Sequence, residues 1–247
     1  MIIDSHQHPG SRVPQLMEEL GIDVSVLLPV GPEALRKVQR MAREAPDRYV
    51  PFFWIDVEDV ERSVAELEAA VGEWHCRGVK FQLLLQHLHA SDRRLYPVYE
   101  KCSELGLVVT FHTGAVAFRQ EFGIPHITKY AHPLPIDEVA FDFPDLRIIL
   151  AHMGGNWHYE ALIVAEKHEN VFLDTAYLPF FCERMLPGVT PADLIRRAAR
   201  ILGPERVLYA YEGLPPSAIR ELDIPEQARQ QILGLNAAGL FGLSVRR

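Results

Sequence analysis

Four histidines stand where short apolar runs end. His6 and His8 lie in Asp4-Ser5-His6-Gln7-His8, His112 in Thr110-Phe111-His112-Thr113-Gly114, and His152 in Leu150-Ala151-His152-Met153-Gly154-Gly155. Imidazole is the commonest neutral metal ligand and titrates near physiological pH. His6 and His8 are two residues apart, and alternate residues of an extended chain share a face, so both rings can reach one ion. Alone this spacing carries little weight, because His87-Leu88-His89 repeats it. His112 and His152 each follow an apolar run and precede glycine, which lets the backbone turn away. One such histidine reads as structural, but histidines at the ends of three runs converge on a single site. An acid joins them: Glu212 directly follows Val207-Leu208-Tyr209-Ala210-Tyr211. It can complete a metal shell, act as general base on a bound water, or do both; by itself it would read as a surface carboxylate.

Two more polar residues interrupt apolar runs. Lys80 lies in Gly78-Val79-Lys80-Phe81-Gln82, where an unpaired ammonium is costly. The preferred reading is an ion pair near the site with an acid from a neighbouring strand. Substrate binding, or a bridge between two metals after reaction with carbon dioxide, are the alternatives. Asp174, in Leu173-Asp174-Thr175-Ala176, is expected to orient a neighbour by hydrogen bonding.

The elements that must position these residues recur along the chain. Runs rich in β-branched and aromatic residues predict strands over Met1–Asp4, Val24–Pro29, Tyr49–Asp56, Gly78–Leu83, Leu107–His112, Arg147–His152, Asn170–Thr175 and Arg206–Tyr211. They are near-continuous rather than alternating, as expected of parallel strands covered on both faces. Between them, Val60, Val64, Leu67, Val71 and Trp74 fall at helical spacing. Thr190-Pro191 with Asp193 opens another helix that Gly203 closes. Eight strands alternating with helices predict an α/β fold, a (β/α)8 TIM barrel in one compact domain over residues 1–247. A doubly wound open sheet is the alternative. In a barrel the C-terminal strand ends carry the active site, where the four histidines and Glu212 fall.

Composition narrows the function. The 247 residues are 48% hydrophobic and carry a net charge of -8, which disfavours nucleic-acid binding. Three widely spaced cysteines, Cys76, Cys102 and Cys182, argue against a disulfide framework. No basic and apolar leader opens the chain and no run is long enough to span a membrane, so a cytoplasmic location is expected.

Taken in order, IIDSHQH, GVKFQ, LYPVYEKCSELGLVVTFHTG, PDLRIILAHMGG, NVFLDTAY, RVLYAYEG and ILGLNAAGLFGL resemble the amidohydrolase superfamily. The resemblance covers essentially the whole chain. It is to the amidohydrolase-related group that includes aminocarboxymuconate-semialdehyde decarboxylase and lactone hydrolases. It implies a divalent metal, zinc first and manganese as the alternative, held by His6, His8 and His112. It implies that His152 binds metal or stands beside the bound water as an acid/base or polarising group. The residue matching Glu212 is normally an aspartate in a Gly-Ser/Thr-Asp-aromatic-Pro pattern. Here Glu212 is one methylene longer, Tyr211 is bulkier, and Pro215 is one residue late. Gly239 replaces a common basic residue.

The expected activity is metal-dependent hydrolysis of a small carboxylate-bearing ester, lactone or amide. Glu212 would be at or beside the ion and shuttle the proton, and His152 would stabilise the developing oxyanion. Lys80, Arg119, Trp157 and His158 are the candidate substrate contacts, Arg119 as a bidentate clamp in the loop after the fifth strand. A non-oxidative decarboxylase on the same scaffold is the alternative, and a catalytically silent metabolite-binding barrel the third reading. The expected partner is a small-molecule substrate, without nucleic acid or membrane, in a homodimer or homotetramer.

Overall fold

The structure is a computed structural model that describes residues 1–116 and 125–244. Eight parallel strands follow one another in chain order: β1 (Ile3–Gln7), β2 (Val24–Leu27), β3 (Tyr49–Trp54), β4 (Gly78–Phe81), β5 (Val108–Phe111), β6 (Arg147–Leu150), β7 (Val171–Asp174) and β8 (Val207–Leu208). Helices lie between them, as right-handed parallel crossovers require. The β8 to β1 seam closes through Ser5, whose backbone N–H donates to Tyr209 O at 2.9 Å and whose hydroxyl donates to the same oxygen at 2.8 Å. The fold is therefore the (β/α)8 TIM barrel that the alternation implies.

Alternation along each strand divides the core in two. Val79, Phe81, Val109, Phe111, Ile148 and Leu150 pack outward against helix residues such as Leu67, Val98 and Val139. Ile3, Val26, Leu28, Val50, Phe52, Val108, Ile149 and Leu208 face inward. The bottom of the barrel is stoppered by the C-terminal helix Asn236–Phe241, whose Phe241 ring meets Phe52 edge-on at 5.8 Å. Gly78 is the inward residue beside Phe52. A Cβ there would lie 2.3 Å from Val108 O and 2.5 Å from the Phe52 ring. Gly78→Ala is expected to destabilise the chain by about 3 kcal/mol, because backbone and a buried ring cannot both yield. The urea midpoint checks this, and an unchanged midpoint contradicts the packing.

Local signals act where the sequence places them. Thr190 caps the helix Pro191–Leu202 with a reciprocal capping box to Asp193, and Gly203 ends it. Cys76, Cys102 and Cys182 are buried free thiols. β1 begins and ends later than predicted, so His6 lies inside the strand. Among the described residues no helix is long and apolar enough to cross a membrane.

Candidate metal centre and active site

The barrel brings His6, His8, His112, His152 and Glu212 to its C-terminal mouth. Their imidazoles form a continuous row: His8 to His6 at 5.4 Å, His6 to His152 at 4.8 Å, and His152 to His112 at 4.9 Å between ring centroids. Glu212 faces three of them, with His8 Nε2 3.4 Å from Oε1, His6 Nε2 3.9 Å from Oε2, and His152 Nδ1 3.6 Å from Oε2.

Local backbone devices aim these rings. β1 slips register between Asp4, opposite Ser25, and Gln7, opposite Leu27. A bulge of this kind re-aims side chains next to sites. Asp4 Oδ1 accepts from the His6 and Tyr211 N–H groups, both at 3.0 Å, tying the histidine segment to the chain that presents Glu212. His152 and Met153 both adopt left-handed backbone, with φ of 62° and 49°. Such a conformation costs on the order of 1 kcal/mol for each non-glycine residue. Buried hydrogen bonds offset it: His152 N–H donates to Asp174 Oδ1 at 2.7 Å, and His152 Nδ1–H to Ala176 O at 3.0 Å.

The hydrogen bonds also set the tautomers. His6 Nδ1–H donates to Asp174 Oδ2 at 2.9 Å, and His8 Nδ1–H to Leu28 O at 3.0 Å. Both rings therefore turn Nε2 toward Glu212. His6 Nε2 is buried without a hydrogen-bond partner. Two imidazole nitrogens and a carboxylate facing one another are a donor set that fits a divalent cation. The donor atoms of His6, His8 and Glu212 all lie within 4.8 Å of one another. His6, His152 and Asp174 make a second such group, but there Asp174 is bonded to the opposite edge of His6. That is the geometry of a carboxylate orienting a ligand. Asp174→Asn is expected to weaken metal affinity by roughly 10- to 100-fold, measured against a competing chelator.

His112 stands outside both donor groups. Its Nδ1 is 3.1 Å from His152 Nε2, and its Nε2 is 3.3 Å from Gly114 O.

Electrostatics keep His6, His112 and His152 neutral at pH 7. Burial pushes His6 down, with Lys80 adding to it. Burial, then His152 and Lys80, push His112 well down. Burial and His6 take His152 down to about 4. Burial opposes ionisation of Glu212, yet the facing His6, His8 and His152 hold its carboxyl well below the usual range. Burial lifts Asp4 to about 7 against the pull of its backbone donors.

Lys80 corrects the sequence reading. It is fully buried, and among the described residues its Nζ has no hydrogen-bond partner and forms no ion pair, where the sequence reading expected one. The acids nearest to it in electrostatic terms, Asp174 and Glu212, are engaged with histidines. Trp157 is partly buried in a cluster with Leu84, Val116, Ala131 and Phe181, its ring 4.7 Å from His132. Phe181 in turn lies 5.7 Å from His152. His158 is buried at the head of the helix His158–Lys167, its Nδ1–H on Met153 O at 3.0 Å, and it feels Arg197 rather than the histidine row. Arg119 lies outside the described residues. Sequence reasoning missed Asp4 and Thr110. Asp4 was visible as an acid inside an apolar run; Thr110 is at home in any strand and gave no signal.

Comparison with known proteins supplies the context. The 5-carboxyvanillate decarboxylase of Novosphingobium aromaticivorans, solved with bound manganese, shares the fold at a TM-score of 0.70 and 16% identity, over 95% of this chain and 81% of that one. A 2-keto-4-carboxy-3-hexenedioate hydratase from Sphingobium sp. is 29% identical over 74% of this chain and 62% of its own length. A 2-amino-3-carboxymuconate-6-semialdehyde decarboxylase from Dictyostelium discoideum is 23% identical over 49% of this chain and 37% of its own length. The chain thus spans less than two thirds of these curated relatives. The amidohydrolase family model matches residues 23–243, nearly the whole barrel, and the chain belongs to the amidohydrolase superfamily of enzymes.

Proposed function

We propose that this enzyme is a metal-dependent lyase acting on a small unsaturated or aromatic carboxylate, by decarboxylation or hydration. The observation that carries the reading is the contact of one carboxylate, Glu212, with His6, His8 and His152 at 3.4 to 3.9 Å. It sets an acid/base group directly against the donors that would hold the ion. His6, His8 and Glu212 form that donor set. His112, the further ligand implied by the resemblance, is one ring away, bonded to His152. When bound, a divalent ion supplies Lewis-acid polarisation of a substrate oxygen. Manganese in the related decarboxylase makes it a candidate beside zinc.

The chain's own groups move the protons. In decarboxylation the bond from the substrate carbon to its carboxylate breaks and carbon dioxide leaves. The electron pair left on carbon takes a proton that Glu212 has accepted from the substrate's own oxygen function or from water. In hydration Glu212 accepts the proton of the attacking water and returns it to the neighbouring carbon. Asp174 holds His6 in its ligating tautomer and fixes the His152 backbone. The reading agrees with the activities named for the curated relatives, a hydratase and a decarboxylase.

The test begins with elemental analysis of dialysed and metal-supplemented protein, which is expected to hold about one equivalent of manganese or zinc. Less than half an equivalent overturns the reading. The loaded enzyme is then assayed for carbon dioxide release and for water addition on aromatic and unsaturated carboxylates, and for lactone hydrolysis. Turnover confined to lactones returns the assignment to a hydrolase. The His6→Ala/His8→Ala variant is expected to lose the metal; stoichiometric binding by that variant refutes the donor set.

A further inference from the structure

The wall of the barrel opposite β8 and β1 carries polar groups that the metal site does not use. Lys80 on β4 and Thr110 on β5 are register partners. Their neighbours Val79, Phe81, Val109 and Phe111 pack outward into the core beneath the helices. Lys80 and Thr110 therefore face the barrel interior. Both are fully buried, and among the described residues Lys80 Nζ and Thr110 Oγ1 have no hydrogen-bond partner. Gln82, two residues closer to the mouth than Lys80, leaves its buried Oε1 unpartnered as well. Buried polar groups of folded proteins are nearly always satisfied, so three orphans on one wall call for a partner from outside the chain.

The partner's charge follows from what is already taken. Asp174 spends Oδ2 on His6 and Oδ1 on the His152 and Ala176 N–H groups. Glu212 faces the histidines. Neither carboxylate forms a hydrogen bond or ion pair with Lys80 among the described residues. An ammonium and a hydroxyl side by side donate to an anion, and water offers an acceptor without the compensating charge. At the barrel mouth His8 and Glu212 are partly open to solvent, their side chains 44% and 23% exposed.

We propose that Lys80 and Thr110 form a carboxylate-binding subsite beneath the metal centre, so that the substrate is a carboxylate carrying a second oxygen function for the ion. Lys80 and Thr110 donate to the carboxylate, and Gln82 lines its mouth side. The proposal rests on the metal-centre reading above and deepens it by assigning the far end of the substrate.

Malonate and acetate are the probes, titrated calorimetrically into manganese-loaded protein whose metal content is measured separately. Malonate can engage both ends and acetate one. A charge-assisted hydrogen bond corresponds to roughly 10- to 100-fold in affinity, so malonate is expected to bind wild type tighter than acetate by about that factor. Lys80→Met is expected to erase the difference with metal content unchanged, and the near-isosteric Thr110→Val to reduce it several-fold. Equal malonate affinity in wild type and Lys80→Met overturns the subsite. So does a wild type that does not prefer malonate, since water alone then satisfies the wall. Loss of metal in Lys80→Met also overturns it, because the lysine would then serve the ion. A wild type that binds no metal overturns the functional reading instead, which separates the two failures.

Discussion

Glu212→Gln is expected to lower kcat on the order of 10³-fold, the scale of a lost general acid/base group. The amide keeps the side chain's shape but cannot take a proton, and it removes the charge that the facing imidazoles favour. Glu212→Asp separates chemistry from reach. It keeps the carboxylate but withdraws it by one methylene from contacts now at 3.4 to 3.9 Å. Misplacement of about 1 Å costs roughly 100-fold, so the aspartate variant is expected to fall between wild type and glutamine. Steady-state kinetics of metal-loaded variants decide it. A glutamine variant retaining a tenth of wild-type kcat removes Glu212 from proton transfer.

The second large effect is on stability and runs against function. Lys80 is fully buried without a hydrogen-bond partner, and burial takes its ammonium down to about 8 despite Asp174 and Glu212. The unfolded chain holds this proton up to about 10.5. Folding at pH 7 therefore confines a charge that the unfolded state solvates, at a cost of about 3 kcal/mol. The sign follows from linkage: between pH 8 and 10.5 the unfolded state binds more protons than the folded state, so wild-type stability from this group rises with pH. Lys80→Met is expected to be more stable than wild type by about 3 kcal/mol at pH 7, with the gap closing across that window. Urea unfolding of the metal-free protein at several pH values measures it. A destabilised methionine variant would mean that the ammonium has a partner in the folded chain. A gain in stability, with loss of malonate binding, is the signature of a residue kept for a ligand.

Much of the barrel could be read from the chain. Each strand run appears near its predicted place because a parallel strand buried on both faces demands a continuous apolar stretch. The Thr190–Asp193 box was legible because capping is local. His112 and His152 were legible as residues of the barrel mouth because they follow such stretches directly. The β1 boundary was not, since the polar tail Ser5-His6-Gln7 carries no apolar signal and its pairing depends on β2 and on the seam to Tyr209. Lys80 was legible as out of place, but not as unpaired. Which acids remain free to meet it depends on side chains from β1, β7 and the chain after β8.

By itself the sequence determined the period of the elements, the barrel that they close, and the order in which histidines and Glu212 reach its mouth. Those properties depend on burial and backbone preference, which neighbouring residues carry. The tertiary structure decided which nitrogen of His6 and His8 turns to Glu212, which carboxylate orients and which faces the histidines, and that Lys80 and Thr110 lack partners among the described residues. Those depend on contacts between residues such as His6 and Asp174, 168 positions apart, and only closure of the barrel brings them within a hydrogen bond.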